Sequence, residues 1–105
     1  MFNKPNMLGM LKQAQQAKKQ LKKVQKEIDR MVFKGCSKDN IVVATVNGKL
    51  ELTNIELDNS FSDLDLSNQK LFIKAAVNEA VSDAQKTTQE KMSEVTGGML
   101  GDMNI

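Results

Sequence analysis

The middle of the chain, residues 41–57, has the sequence IVVATVNGKLELTNIEL. Residues 41–46 are β-branched or small throughout, which predicts a strand that is covered on both faces. The dipeptide Asn47-Gly48 follows at once, and it is a strong hairpin signal because both residues accept the positive φ of a type I′ turn. These features predict two antiparallel strands joined at Asn47 and Gly48.

The return strand carries apolar side chains at Leu50 and Leu52 and then at Ile55 and Leu57. The alternation slips by one residue between these pairs, so we expect a β-bulge at Thr53-Asn54. A short apolar run before the hairpin supplies one further strand. Residues 32–57 are therefore predicted to form a three-stranded antiparallel meander.

A long helix is predicted before the sheet, over residues 6–31. Its interior is rich in Lys, Gln, Ala and Leu, and its apolar residues occupy two positions of a strict heptad over four repeats. At 1.5 Å per residue this helix is about 40 Å long, so part of it should project or meet a second subunit. The heptad predicts a coiled-coil dimer seam, which consists of Met7, Met10, Ala14, Ala17, Leu21, Val24, Ile28 and Met31.

A second long helix is predicted over residues 67–96, with Ser67 as its N-terminal cap. Its first half is apolar on one face, whereas its second half is polar nearly all round, as expected of a helix that is docked at its start and solvated at its end. Gly97-Gly98 should stop it and leave residues 97–105 as a flexible tail. Residues 1–105 thus form one α+β domain with the order α-β-β-β-α.

The composition excludes several classes of protein. The chain has 105 residues, four Phe, no Trp and no Tyr, so a monomer would have a thin core and we expect an oligomer. With no His and with Cys36 as its one cysteine, it lacks the usual general base and any CxxC metal site. We therefore predict no enzymatic activity, no cofactor, no metal and no small-molecule substrate. The lack of an 18-residue apolar run and the polar start predict a cytoplasmic protein with no membrane partner.

The net charge of +2 conceals a strong asymmetry. Residues 1–34 carry nine basic and two acidic side chains, residues 35–66 carry two basic and six acidic ones, and the remainder is nearly neutral. A terminal segment this basic predicts an anionic partner.

Most of this positive charge lies on one side of the first helix. At 100° per residue, seven cations fall within a sector of about 140° on the side away from the seam. We call this set the basic ridge: Lys12, Lys18, Lys19, Lys22, Lys23, Lys26 and Arg30.

Several interpretations of the basic ridge remain open. Lysines are a common means of keeping a coiled coil soluble, and the ridge could also dock an acidic protein, which would make the chain a protein–protein adaptor. Binding to a membrane surface is less favoured because the apolar side is narrow and contains Ala and Met. No aromatic residue is interleaved with the cations, which favours the backbone of duplex DNA over stacked RNA or single strands.

The order of these features resembles the YbaB/EbfC family of small bacterial nucleoid-associated proteins. The similarity extends over nearly the whole chain. Each matching segment is short, but the segments together, in this order, are specific for the family. They are residues 10–16 (MLKQAQQ), 32–35 (VFKG), 43–48 (VATVNG), 55–58 (IELD), 75–80 (AAVNEA) and 90–93 (EKMS).

The resemblance implies a tweezer-like homodimer in which paired helices project from a β core. It also implies a DNA-binding protein, associated with the nucleoid, that influences nucleoid organisation or gene expression. We carry the DNA-binding role onto the basic ridge, with Lys86 and Lys91 of the second helix as additional contacts. The ending Asp-Met-Asn-Ile departs from the proline-rich ending of some relatives, so no role for the tail is carried over.

Overall fold

The structure is a computed structural model that describes the backbone of residues 4–103 and the side chains of residues 8–95. Its two helices and three strands follow the predicted order. They are α1 (Lys4–Asp29), β1 (Val32–Cys36), β2 (Val42–Asn47), β3 (Leu52–Leu57) and α2 (Leu66–Met103). Short 3-10 helices at Lys38–Asn40 and Asn59–Asp63 fill the connections before β2 and before α2. The α-β-β-β-α prediction is confirmed.

The strands form one antiparallel sheet in the order β1-β2-β3, which confirms the predicted meander. Between β2 and β3, Thr45 is paired with Asn54, but its neighbour Val46 is paired with Leu52. Thr53 is therefore the extra residue of a bulge, as the slip in alternation predicted.

The turn between β2 and β3 differs from the predicted type I′ turn. The Leu50 N–H donates to the Asn47 carbonyl and the Asn47 N–H donates to the Glu51 carbonyl, each at 3.0 Å. Leu50 adopts a left-handed φ of 65°, whereas no glycine has a positive φ in the part of the chain that the structure describes. The connection is a three-residue loop that ends in a left-handed residue, which is the next most common hairpin after the two-residue turns.

Position 48 requires a glycine because of a close contact with α1 and not because of its φ angle. A Cβ atom placed on Gly48 would overlap the carbonyl oxygen of Ile28, near the end of α1. The absence of a side chain therefore lets the hairpin pack directly on the backbone of α1.

The core lies between the sheet and α2, which packs on β1 and β2. Its buried members are Phe33, Val42, Ala44, Val46, Ala76, Ala80 and Ala84. A Cβ atom on Gly35 would overlap the backbone of Ala76 and Ala80, so this glycine sets how closely α2 approaches β1. Four of the seven core side chains are alanines, so a single subunit has a small apolar core.

Both ends of α2 differ from the prediction. Asp65 caps the helix, because its Oδ1 accepts a hydrogen bond of 2.8 Å from the Asn68 N–H, and the prediction of Ser67 as the cap was wrong. The structure continues α2 through Gly97 and Gly98 to Met103, where the sequence predicted a flexible tail over residues 97–105. A glycine costs a helix only about 1 kcal/mol relative to alanine, and the adjoining Met99 and Leu100 are good helix formers.

The subunit is elongated, with principal extents of 76 × 21 × 16 Å. Residues 8–16 of α1 are exposed throughout, whereas burial increases toward the end of α1. The first helix therefore projects from the subunit, as its length predicted.

Candidate nucleic-acid interface

The basic ridge is fully available to a partner. All seven of its side chains are exposed, and six of them lie on α1, while Arg30 directly follows its last residue, so one helix largely fixes their spacing. The two additional cations on α2 are placed differently, with Lys86 exposed and Lys91 half-buried.

The cations of the ridge are not neutralised by any of the side chains that the structure describes. Asp29, the acidic residue nearest to them on the wheel, is engaged by an uncharged partner, since Gln25 Nε2 donates to its Oδ1 at 2.9 Å. Among the side chains of residues 8–95, no ion pair involves a member of the ridge. The ridge therefore presents its positive charge to solvent, and such a surface attracts polyanions.

The predicted dimer seam is divided between two environments. Ile28 is completely buried within the subunit, and Met31 packs against the core. Leu21 and Val24 are half-buried on α1, which contacts α2 of the same subunit. The part of the seam nearest the sheet is thus already packed without a second subunit.

The other half of the seam is open to a partner. Met10 is 69% exposed, Ala14 is exposed and Ala17 is half-buried, while the side chain of Met7 lies outside the described residues. The seam as a dimer interface stays a prediction.

A second apolar surface lies on β3. Residues directly opposite one another in an antiparallel pair share a face, and Leu52, Ile55 and Leu57 are paired with the buried residues of β2. They are between 37% and 50% exposed, since α2 packs on β1 and β2 instead. We call these three residues the β3 ledge, an apolar strip on an edge strand.

One cation near the ridge was missed by the sequence analysis. Lys49 lies in the β2–β3 loop, and together with Lys26, Asp29, Arg30 and Asn47 it lines an open depression of about 380 Å³. The sequence gives no sign of this proximity, because it depends on the contact between Gly48 and the end of α1.

Two other kinds of site are absent from the residues that the structure describes. No group of three or more His, Cys, Asp and Glu side chains in the described region could hold a metal ion. None of the helices, as far as the structure describes them, combines the length and apolar character that crossing a bilayer requires.

Comparison with known proteins gives consistent results. A nucleoid-associated protein of Chlorobium phaeobacteroides is 39% identical over 101 residues, which cover 96% of this chain and 90% of that protein. Another from Chlorobium chlorochromatii is 38% identical over 91% of this chain and 86% of its own length. A third, from Pelodictyon phaeoclathratiforme, is 35% identical over 96% of this chain and 90% of its own length.

The fold also has a counterpart among solved structures. An uncharacterized protein from Helicobacter pylori superposes with a TM-score of 0.60 over 70% of this chain and 86% of that one, at 18% identity. The model of the YbaB/EbfC DNA-binding family matches residues 3–99. The basic helix, the bulged meander and the long second helix are thus parts of a recognised domain, and the chain belongs to the YbaB/EbfC DNA-binding family.

Proposed function

We propose that this protein is a homodimeric, nucleoid-associated DNA-binding protein of the cytoplasm that contacts the duplex backbone with little sequence specificity. Support comes from the family match and from the names of the relatives. The observation that carries the proposal is the basic ridge, a set of exposed cations along a projecting helix that form no ion pair among residues 8–95. The family is a DNA-binding family. We propose no catalytic activity for this protein.

The ridge suits phosphates better than base edges. It extends from Lys12 to Arg30, roughly 27 Å at 1.5 Å per residue, and duplex DNA presents a phosphate about every 1.7 Å of its axis. Six of its seven members are Lys, which acts as a point charge, whereas the bidentate recognition of guanine is favoured by Arg. We therefore infer that binding depends on charge and on salt far more than on sequence.

The proposed homodimer uses the β3 ledge as its interface. Edge strands leave backbone groups open to pairing, and the ledge adds apolar side chains beside that edge. We propose that the β3 ledge of one subunit packs against the β3 ledge of a second copy of the chain. Such a contact about a two-fold axis uses the same surface on both subunits and therefore gives a closed dimer. The small core of a single subunit supports the same conclusion, since burial of the ledge would enlarge it.

DNA binding is tested by removing charge from the middle of the ridge. If about four cations per subunit contact phosphate, the slope of log affinity against log salt should be near −7 for a dimer. Changing Lys19, Lys22 and Lys23 together to Gln keeps the helix propensity and should reduce the slope by several units, about equally on unrelated duplexes.

The matched control changes three exposed lysines away from the ridge, Lys34, Lys38 and Lys70, to Gln. It alters the net charge equally and should leave most of the salt slope intact. If both triple variants lower affinity alike, the effect is one of net charge and the ridge has no special role. If the ridge variant retains the wild-type slope, DNA does not use the ridge, and the alternative of an adaptor for an acidic protein is favoured. A parallel titration with duplex RNA shows whether the ridge prefers one polymer.

A further inference from the structure

The loop between β2 and β3 is held rigidly beside the end of α1. Asn47 Oδ1 accepts hydrogen bonds from the backbone N–H groups of Lys49 at 2.9 Å and of Glu51 at 3.0 Å. Gly48 packs against the Ile28 carbonyl so closely that a side chain could not be accommodated. The backbone of Lys49 is thus fixed on one side by its own turn and on the other by the helix.

This arrangement places three cations around one open depression. Lys26 and Arg30 come from the last turn of α1 and its exit, while Lys49 comes from the loop. The depression of about 380 Å³ has room for a phosphate group with several waters, at about 30 Å³ per water.

The acidic groups nearby are hydrogen-bonded to amides. Asp29 accepts from Gln25, and Glu51 Oε1 accepts from Asn47 Nδ2 at 2.9 Å. Neither carboxylate forms an ion pair with the three cations, all of which lie in the part of the chain described at side-chain level. The depression therefore retains an excess of positive charge and offers convergent donors to an anion.

We infer that Lys49, Lys26 and Arg30 form a phosphate-binding site through which the hairpin extends the DNA contact beyond the end of α1. The inference rests on the proposed function, since its ligand is a phosphate of the bound duplex. It assigns a DNA contact to the sheet, whereas the proposed function places the contacts on helices. Because the loop is already ordered, binding a phosphate there requires little loss of conformational entropy.

The test compares Lys49→Gln with Lys38→Gln. Both lysines are exposed and lie in connections, but Lys38 precedes β2 and is therefore at the opposite end of that strand from Lys49. Lys49→Gln should reduce the salt slope by about 0.9 for each subunit bound, while Lys38→Gln should leave it unchanged. A titration with inorganic phosphate, followed by the amide resonances of Gly48 and Lys49, should shift these signals in the wild type and much less in Lys49→Gln.

The outcomes separate this inference from the proposed function. If the wild type binds DNA with a steep salt slope and Lys49→Gln retains that slope, the inference is overturned and the proposed function stands. If the wild type does not bind DNA, the proposed function fails, and absence of a phosphate shift then overturns the site as well. A lower melting temperature of Lys49→Gln with an unchanged slope would also overturn it, because Lys49 would then only offset the partial negative charge at the end of α1.

Discussion

At the scale of single residues, the glycines of this chain have different functions. Gly35 faces the backbone of α2, whereas a Cβ atom on Gly9 would meet nothing within 4 Å. Gly35→Ala should therefore force α2 away from β1 and destabilise the fold by about 1–3 kcal/mol, the usual cost of overpacking. Thermal unfolding followed by circular dichroism measures the effect.

Gly9→Ala is the matched control for this substitution. The same methyl group is added on the exposed part of α1, where alanine is the better helix former by up to about 1 kcal/mol. The melting temperature should be unchanged or slightly higher. If both variants lost stability equally, the contact of Gly35 with α2 would not explain the result.

Asp58 provides a prediction about pH. Hydrogen bonds from the Ser60 hydroxyl and the Ser60 backbone N–H stabilise its carboxylate and lower the pKa of Asp58 below its ordinary value. The resulting stabilisation is present above the ordinary aspartate pKa and is lost as the pH falls through the lowered pKa. An NMR titration should show this low pKa, and Ser60→Ala should raise it toward the ordinary value. An ordinary pKa for Asp58 in the wild type would contradict the observed capping of the 3-10 helix at Asn59–Asp63.

At the scale of elements, the start of α2 gives a direct comparison of two candidate caps. Asp65 accepts the hydrogen bond from Asn68, while Ser67 is exposed within the first turn. Asp65→Ala should cost about 1 kcal/mol, and Ser67→Ala should be close to neutral. Chemical denaturation of the two variants tests the assignment, and the reverse ranking would restore the cap predicted from sequence.

The elements were predictable because their signals are local. Heptad spacing over residues 7–31 indicated α1, and the slip in alternation near Thr53 located the bulge. The caps and turns were less predictable. Asp65 and Ser67 are both good N-terminal caps, and a shift of the helix start by two residues exchanges one for the other. The place of Lys49 beside α1 could not be predicted, because it depends on a contact between residues 20 positions apart in sequence, Ile28 and Gly48.

At the scale of the whole molecule, the proposed dimer makes stability depend on concentration. If the β3 ledge is buried between subunits, the melting temperature should rise with protein concentration. Ile55→Glu should place a charge in that interface and yield monomers in sedimentation experiments. A wild-type protein that sediments as a compact monomer at micromolar concentration would contradict the homodimer.

Val32→Glu is the control for this substitution. Val32 is an exposed apolar residue on β1, the opposite edge strand of the sheet, so its replacement should leave the dimer intact. Dissociation of the dimer by Ala14→Glu but not by Ile55→Glu would instead assign the interface to the predicted seam on α1.

The exposed cations of α1 also have a consequence for the stability of the helix itself. Lys18, Lys22, Lys26 and Arg30 are spaced four residues apart, as are Lys19 and Lys23, and like charges at this spacing each weaken a helix by about 0.2–0.5 kcal/mol. Because residues 18–23 include no buried side chain and Leu21 is half-buried, that part of α1 receives little tertiary support against this repulsion. A bound polyanion removes the repulsion, so helix formation and DNA binding are thermodynamically linked, and each favours the other. Added salt should stabilise the helix by screening the same repulsion, as the nucleic acid does, but it should weaken DNA binding.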